Sequence, residues 1–173
     1  MDSMLFHPKL VHLPIALAVL MPLVAGGLLI AWWRQWLPGR AWVIAVLLQL
    51  LLVGSGVLAL QSGEADEERV ERVVAETHIS AHEHAAKRFV LASAGVLGLM
   101  LVGAALSRKR SGLGIAAASV AGTLGVLALG YQTGEAGGRL VYTHGAAAAF
   151  SSENFPGDKP TVRAAGAEHD DDD

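Results

Sequence analysis

Residues 10–33 read LVHLPIALAVLMPLVAGGLLIAWW, an unbroken stretch without Asp, Glu, Lys or Arg. Its length exceeds the roughly 20 apolar residues that an α-helix needs to cross a hydrocarbon core of about 30 Å. Three further apolar runs follow, at 41–60, 89–106 and 113–131. With their polar shoulders, the spans are expected at about 10–33, 41–60, 85–106 and 113–133. Backbone groups in lipid must be satisfied within their own segment, so four such runs predict four helices. The expected fold class is therefore all-α, an integral membrane four-helix bundle occupying residues 1–150. Beyond Phe150 the chain turns polar and ends in Glu168, His169 and Asp170 to Asp173, which predicts a disordered acidic tail over 151–173.

Composition supports this class and removes others. Of 173 residues, 53% are hydrophobic and 17% charged, a poor balance for one soluble domain. The formal net charge of −3 argues against nucleic acid, which requires clustered Lys and Arg. With no Cys there is no disulfide, thiolate metal site, iron–sulfur cluster or c-type haem attachment, so any metal would rely on His, Met or carboxylate. The first run is too long for a signal peptide and follows Asp2 and His7 with Lys9 as its only preceding basic residue. Trp32, Trp33 and Trp36 then follow as an aromatic cluster expected at the membrane interface.

The turns at 34–40 and 107–112 carry Arg34, Arg40, Arg108, Lys109 and Arg110 and no acidic residue. The 28-residue connection at 61–88 holds four basic and seven acidic residues. Because Lys and Arg bias a loop toward the cytoplasm, both termini are expected outside.

The ends of the second and fourth runs match each other. Gln61-Ser62-Gly63-Glu64-Ala65 recurs as Gln132-Thr133-Gly134-Glu135-Ala136, an offset of 71 residues that also carries His7 onto His78. The expectation is two duplicated helical hairpins, each starting with histidines and ending in this polar sequence. Recurrent small residues (Gly26, Gly27, Gly54, Ser55, Gly56, Gly95, Gly98, Gly103, Gly122 and Gly125) predict close helix contacts.

Six histidines, His7, His12, His78, His82, His84 and His144, fall at or near span ends and by this topology share one membrane face. Pro14, inside the first run, is expected to bend the helix and aim His12 inward. His78 and His82 lie four apart and share a helix face with Glu71 and Ala75. Imidazoles from two spans suit haem b, whose axial ligands approach from opposite faces. His12 with His82 or His84 is the expected pair, with His7 and His144 as further cofactor-binding candidates. The same inventory suits iron, copper or zinc, for which His78, His82, Glu64 and Glu135 are the candidate ligands. Glu64 and Glu135 are expected to face the interior, a water cavity or a partner, because charge in a span is costly. Gln49, mid-span, needs a hydrogen-bonding partner on another helix. Gly137 and Gly138 are expected to let the chain leave the fourth helix sharply, so that Tyr142 and His144 return over the mouth of the bundle.

Two segments, His7-Pro8-Lys9-Leu10-Val11-His12-Leu13-Pro14-Ile15-Ala16-Leu17 and Thr133-Gly134-Glu135-Ala136-Gly137-Gly138-Arg139-Leu140-Val141-Tyr142-Thr143-His144-Gly145, resemble the bacterial membrane family called domain of unknown function 2231. The likeness covers roughly residues 5–150. It implies a four-span protein with His7, His12 and His144 at family-like positions. Some members are fused to or encoded beside cytochrome c or other redox modules, which hints at electron transfer and a redox protein as partner. The family pattern does not include a cluster as rich as His82-Glu83-His84, and no catalytic role is inherited. The leading expectation is thus a haem- or metal-binding bundle in membrane electron transfer. The alternatives are a non-redox anchor or assembly subunit, and metal-ion or proton transport, for which four spans would require a homo-oligomer or a larger complex. A nucleophilic enzyme fits least, since no Ser or Thr sits in a His-Asp arrangement and no phosphate loop is present.

Overall fold

The computed structural model describes residues 10–146, apart from the side chains of 66–69. His7 and the expected tail at 151–173 lie outside the described residues. Within them the chain is helical and contains no strand. The order is α1 (His12–Trp33), a short 3₁₀ turn (Gly39–Trp42), α2 (Val43–Val70), α3 (Glu76–Ala105) and α4 (Arg110–Tyr142). All four helices, α2 together with the 3₁₀ turn, are long and apolar enough to cross a membrane, and the chain is a multi-pass membrane protein.

The helices form a ring in which α2 and α4 each pack on both α1 and α3. Neighbours run antiparallel. Trp42 meets Met100, Gln49 meets Ser93 and Gly56 meets Val90, so residue numbers rise on α2 as they fall on α3. Buried positions on α3 from Phe89 onward (Phe89, Ser93, Val96, Met100, Gly103) and on α4 (Gly112, Ala116, Ser119, Thr123, Val126) alternate three- and four-residue steps. That period of 3.5 is the seam of a left-handed bundle. Leu23 and Leu91, both more than 70% exposed, point outward, as helices solvated by lipid tails allow.

Polar ties are few and placed in the centre. Trp42 Nε1 donates to the Met100 carbonyl at 3.2 Å, and its ring packs on Trp32 with centroids 6.2 Å apart. Gln49, fully buried, donates from Nε2 to the Ser93 carbonyl at 2.9 Å, the helix–helix bond its mid-span position demands. Ser55, Ser93, Ser119 and Thr123 return their hydroxyls to carbonyls three or four residues back.

Four expectations need correction. The 61–88 connection is mostly helix, but α2 ends at Val70 and α3 begins at Glu76, so Glu71 and Ala75 fall in the short turn between them and not on the helix face of His78 and His82. At 1.5 Å per residue α3 and α4 are about 45 and 50 Å long, so their polar ends project beyond a hydrocarbon core of about 30 Å. Hydropathy marks where lipid ends, and helix propensity continues past it. Second, Gly137 and Gly138 lie inside α4, which runs on to Tyr142; the chain turns at Gly145, whose φ of +71° a side chain would resist. Third, Pro14 falls in the first turn of α1, where its missing N–H has no intrahelical acceptor to lose; Pro22 is the interior proline. Fourth, Trp32 is buried against Trp42, whereas Trp33 and Trp36 are exposed as an interfacial cluster should be.

The expected close contacts hold for Gly56, Gly103 and Gly122, where an added Cβ would meet another helix within 3.5 Å. Gly27, Gly54, Gly95, Gly98 and Gly125 face open space instead. Gly112 is the tightest position: a Cβ there would sit 2.2 Å from the Leu106 carbonyl oxygen, whereas one at Gly114 would meet nothing within 4 Å. Gly112→Ala should therefore destabilise the bundle by about 1–3 kcal/mol. Gly114→Ala should leave stability unchanged or slightly raised, and unfolding of the two variants in detergent, followed by circular dichroism, checks the contrast.

Candidate functional site

The projecting ends of α2, α3 and α4, with the start of α1, enclose two cavities. The larger, about 460 Å³, is mostly apolar. His12 reaches it from α1 and His82 from α3, with Glu64, Glu83 and Thr133 at its polar positions. Phe89 forms part of its wall, held where Gly56 on α2 and Gly130 on α4 leave room for the ring. One heptad above Phe89, the His82 ring lies against Gly137: an added Cβ would be 3.1 Å from its Cε1. Gly137 therefore serves as a flat seat for an imidazole, a role that its place in an expected helix exit concealed.

The smaller cavity, about 340 Å³, opens on the flank of the α3–α4 hairpin. His78, Gln132, Glu135, Arg139 and His144 line it. The reversal after α4 builds this end of the site. The Ala146 N–H donates to the Leu140 carbonyl at 3.0 Å, and Ala146 packs with Val74 and Ile79 in a small apolar cluster. Thus His144 comes to stack on His78, with ring centroids 3.8 Å apart and planes tilted by 18°. The expected return of Tyr142 and His144 over the mouth of the bundle is therefore corrected: Tyr142 stays in α4, 90% exposed, and His144 turns back onto His78 at the flank of the hairpin.

The two glutamates of the repeated sequence differ in their partners. Glu64 lies 3.8 Å from Lys87 Nζ on α3, and Lys87 also pairs with Glu83 one turn back on its own helix. Glu135 accepts a 2.6 Å bond from Arg139 on the next turn of α4. Both carboxylates are nearly half exposed and face a cation.

The expected residues are thus divided. His12, His82 and Glu64 share the larger cavity, His78, His144 and Glu135 the smaller, and His84 is exposed and lines neither. Among the described residues no three His, Asp or Glu side chains gather closely enough to hold a metal ion. Gln132, Arg139, Lys87 and Gly137 escaped sequence reading. The seven-residue spacing of Gly130 and Gly137, opposite Phe89 and His82, is the signal that could have found the last. No family model, curated protein or solved structure matches the chain.

Gly137→Leu should push the His82 ring from its seat, because the neighbouring contact is already tight. The His82 imidazole resonances in ¹⁵N-edited spectra should shift while those of His84, exposed on the same helix, stay in place.

Proposed function

We propose that this protein binds a b-type haem in its larger cavity, between His12 and His82, and works in membrane electron transfer. One observation carries the reading: two imidazoles from separate helices line one apolar cavity. Bis-imidazole ligation needs donors on opposite faces of a planar ring, and a single helix face cannot supply them. Gly56, Gly63, Gly130, Gly134, Gly137 and Gly138 also line the cavity, and walls without side chains suit a flat macrocycle. Glu64 and Glu83 at the same cavity share Lys87, which offsets part of their charge. When bound, the haem would supply one-electron redox chemistry, and the chain would supply its ligands and an apolar enclosure that tunes the potential.

Iron, copper or zinc held by protein ligands alone is the weaker form of the reading, given how the described His and Glu side chains are divided. His84 is set aside in favour of His82 as the second ligand, since only His82 lines the cavity. The resemblance noted above agrees with a bacterial inner-membrane location and a c-type cytochrome as redox partner.

Protein purified in detergent from haem-replete cells should show a Soret band and sharpen on dithionite reduction. His12→Ala and His82→Ala should each abolish or strongly shift the reduced spectrum, and His84→Ala should leave it intact. A colourless wild-type protein that stays colourless after haem titration would sink the reading and leave a non-redox membrane subunit in front.

A further inference from the structure

The smaller cavity has no part in haem binding, and its chemistry is of another kind. It sits where the bilayer's apolar core ends. The apolar run of α4 at 113–131 spans about 28 Å at 1.5 Å per residue, close to one hydrocarbon thickness. It closes on Tyr131, 72% exposed and thus in the position of an interfacial anchor. The next residue, Gln132, is the first to line the cavity. Headgroups of the surrounding lipid lie at this depth.

The cavity offers a carboxylate and a guanidinium side by side, Glu135 and Arg139, 2.6 Å apart and each about half exposed or more. Among the described residues they bond to each other through one oxygen and one nitrogen, which leaves further acceptor and donor capacity. Two imidazoles and an amide stand beside them. An anion alone would meet Glu135, and a cation alone would meet Arg139. A zwitterion with its two charges a few bonds apart satisfies both. Guanidinium binds phosphate oxygens in a fork, and carboxylate accepts N–H bonds from a primary ammonium. A trimethylammonium group has no N–H to donate and favours Trp or Tyr faces, which the cavity wall lacks.

Beneath the cavity the same side of α4 descends through Ala128, Gly125 and Ala121, all exposed. Gly125, and Gly95 and Gly98 on the adjoining α3, have open space where a side chain would stand. Small residues in this succession leave this side of α4 open to the surrounding lipid, in line with the headgroup.

We propose that the cavity between His78, Gln132, Glu135, Arg139 and His144 is a binding site for an ethanolamine-type phospholipid, its phosphate on Arg139, its ammonium on Glu135 and a chain along the small-residue side of α4 at Gly125. The site is separate from the haem cavity and stands whether or not haem binds.

Native mass spectrometry of the full chain tests it, with phosphatidylethanolamine, phosphatidylcholine and phosphatidylglycerol of identical acyl chains, and soluble phosphoethanolamine as a fourth probe. Phosphatidylethanolamine should bind about tenfold more tightly than either other lipid, the worth of one charge-assisted hydrogen bond. Arg139→Gln and Glu135→Gln should each remove that preference, and Gly125→Leu should weaken the lipid without affecting the soluble headgroup. The exchanged pair, Glu135→Arg with Arg139→Glu, keeps both charges and should restore part of the preference if either single variant folds poorly. Equal binding of the three lipids, a stronger response to phosphatidylglycerol, or a preference that survives both Gln variants would overturn the proposal. So would phosphoethanolamine binding as tightly as the intact lipid.

Discussion

The close approach of α3 to α4 is the contact on which the rest depends. Gly103 faces Ala116, Val96 faces Gly122, Phe89 faces Gly130 and His82 faces Gly137, four meetings about seven residues apart along both helices. At each, one partner has little or no side chain, so the backbones come near enough for dispersion contacts to replace the hydrophobic drive that lipid does not provide. In three of the four the large partner stands on α3 and the glycine on α4, in a fixed register. A slip of one residue would set Val96 and Phe89 against side chains instead of glycines. The register that packs the span therefore also places His82, because the imidazole occupies the last step of the same ladder.

The second seam, between α2 and α3, is held differently. Here Trp42 and Gln49 donate to carbonyls of Met100 and Ser93, which lie two turns apart on α3. Such bonds are directional where glycine packing is not. In hydrocarbon the alternative to each is an unpaired donor costing several kcal/mol, so they define one rotation of α2 against α3. Two seams of different physical kind then position three helices, and α1 closes the ring against Gly130 through Ala18 and near Val120 through Gly26.

Much of this was legible. Span number and helix class follow from four apolar runs, and Gln49 announced a partner by lying mid-span. The helix ends were not legible from hydropathy, since Glu76 to Lys87 and Gln132 to Tyr142 are helical yet polar: the transition they mark is from lipid to headgroup, not from helix to loop. Neither was the division of the histidines. His78 and His82 share a helix face, but one turn of rise and a slight rotation send them to opposite sides of the α3–α4 seam, and only tertiary placement reveals which cavity each meets. Gly137 was misread for a related reason, because a glycine needed for close approach and one needed for chain reversal look alike in sequence.

The repeated Gln-(Ser/Thr)-Gly-Glu-Ala sequence carries the last step. Two copies of a five-residue motif at equivalent helix ends would be expected to build two equal sites, and they do not. The difference lies four residues beyond the glutamate. After Glu135 that position is Arg139, and an i,i+4 ion pair forms within α4. After Glu64 it is Glu68, which the sequence makes a like charge. Glu64 meets its cation across the bundle, where Lys87 on α3 lies 3.8 Å away. The two glutamates thus differ in where the cation stands: Glu135 is engaged on its own helix beside the smaller cavity, and Glu64 between α2 and α3 at the larger. Charge changes at helix ends lie outside the hydrocarbon, where they cost least, so two helix ends of like sequence can differ in chemistry without disturbing the packing of the spans.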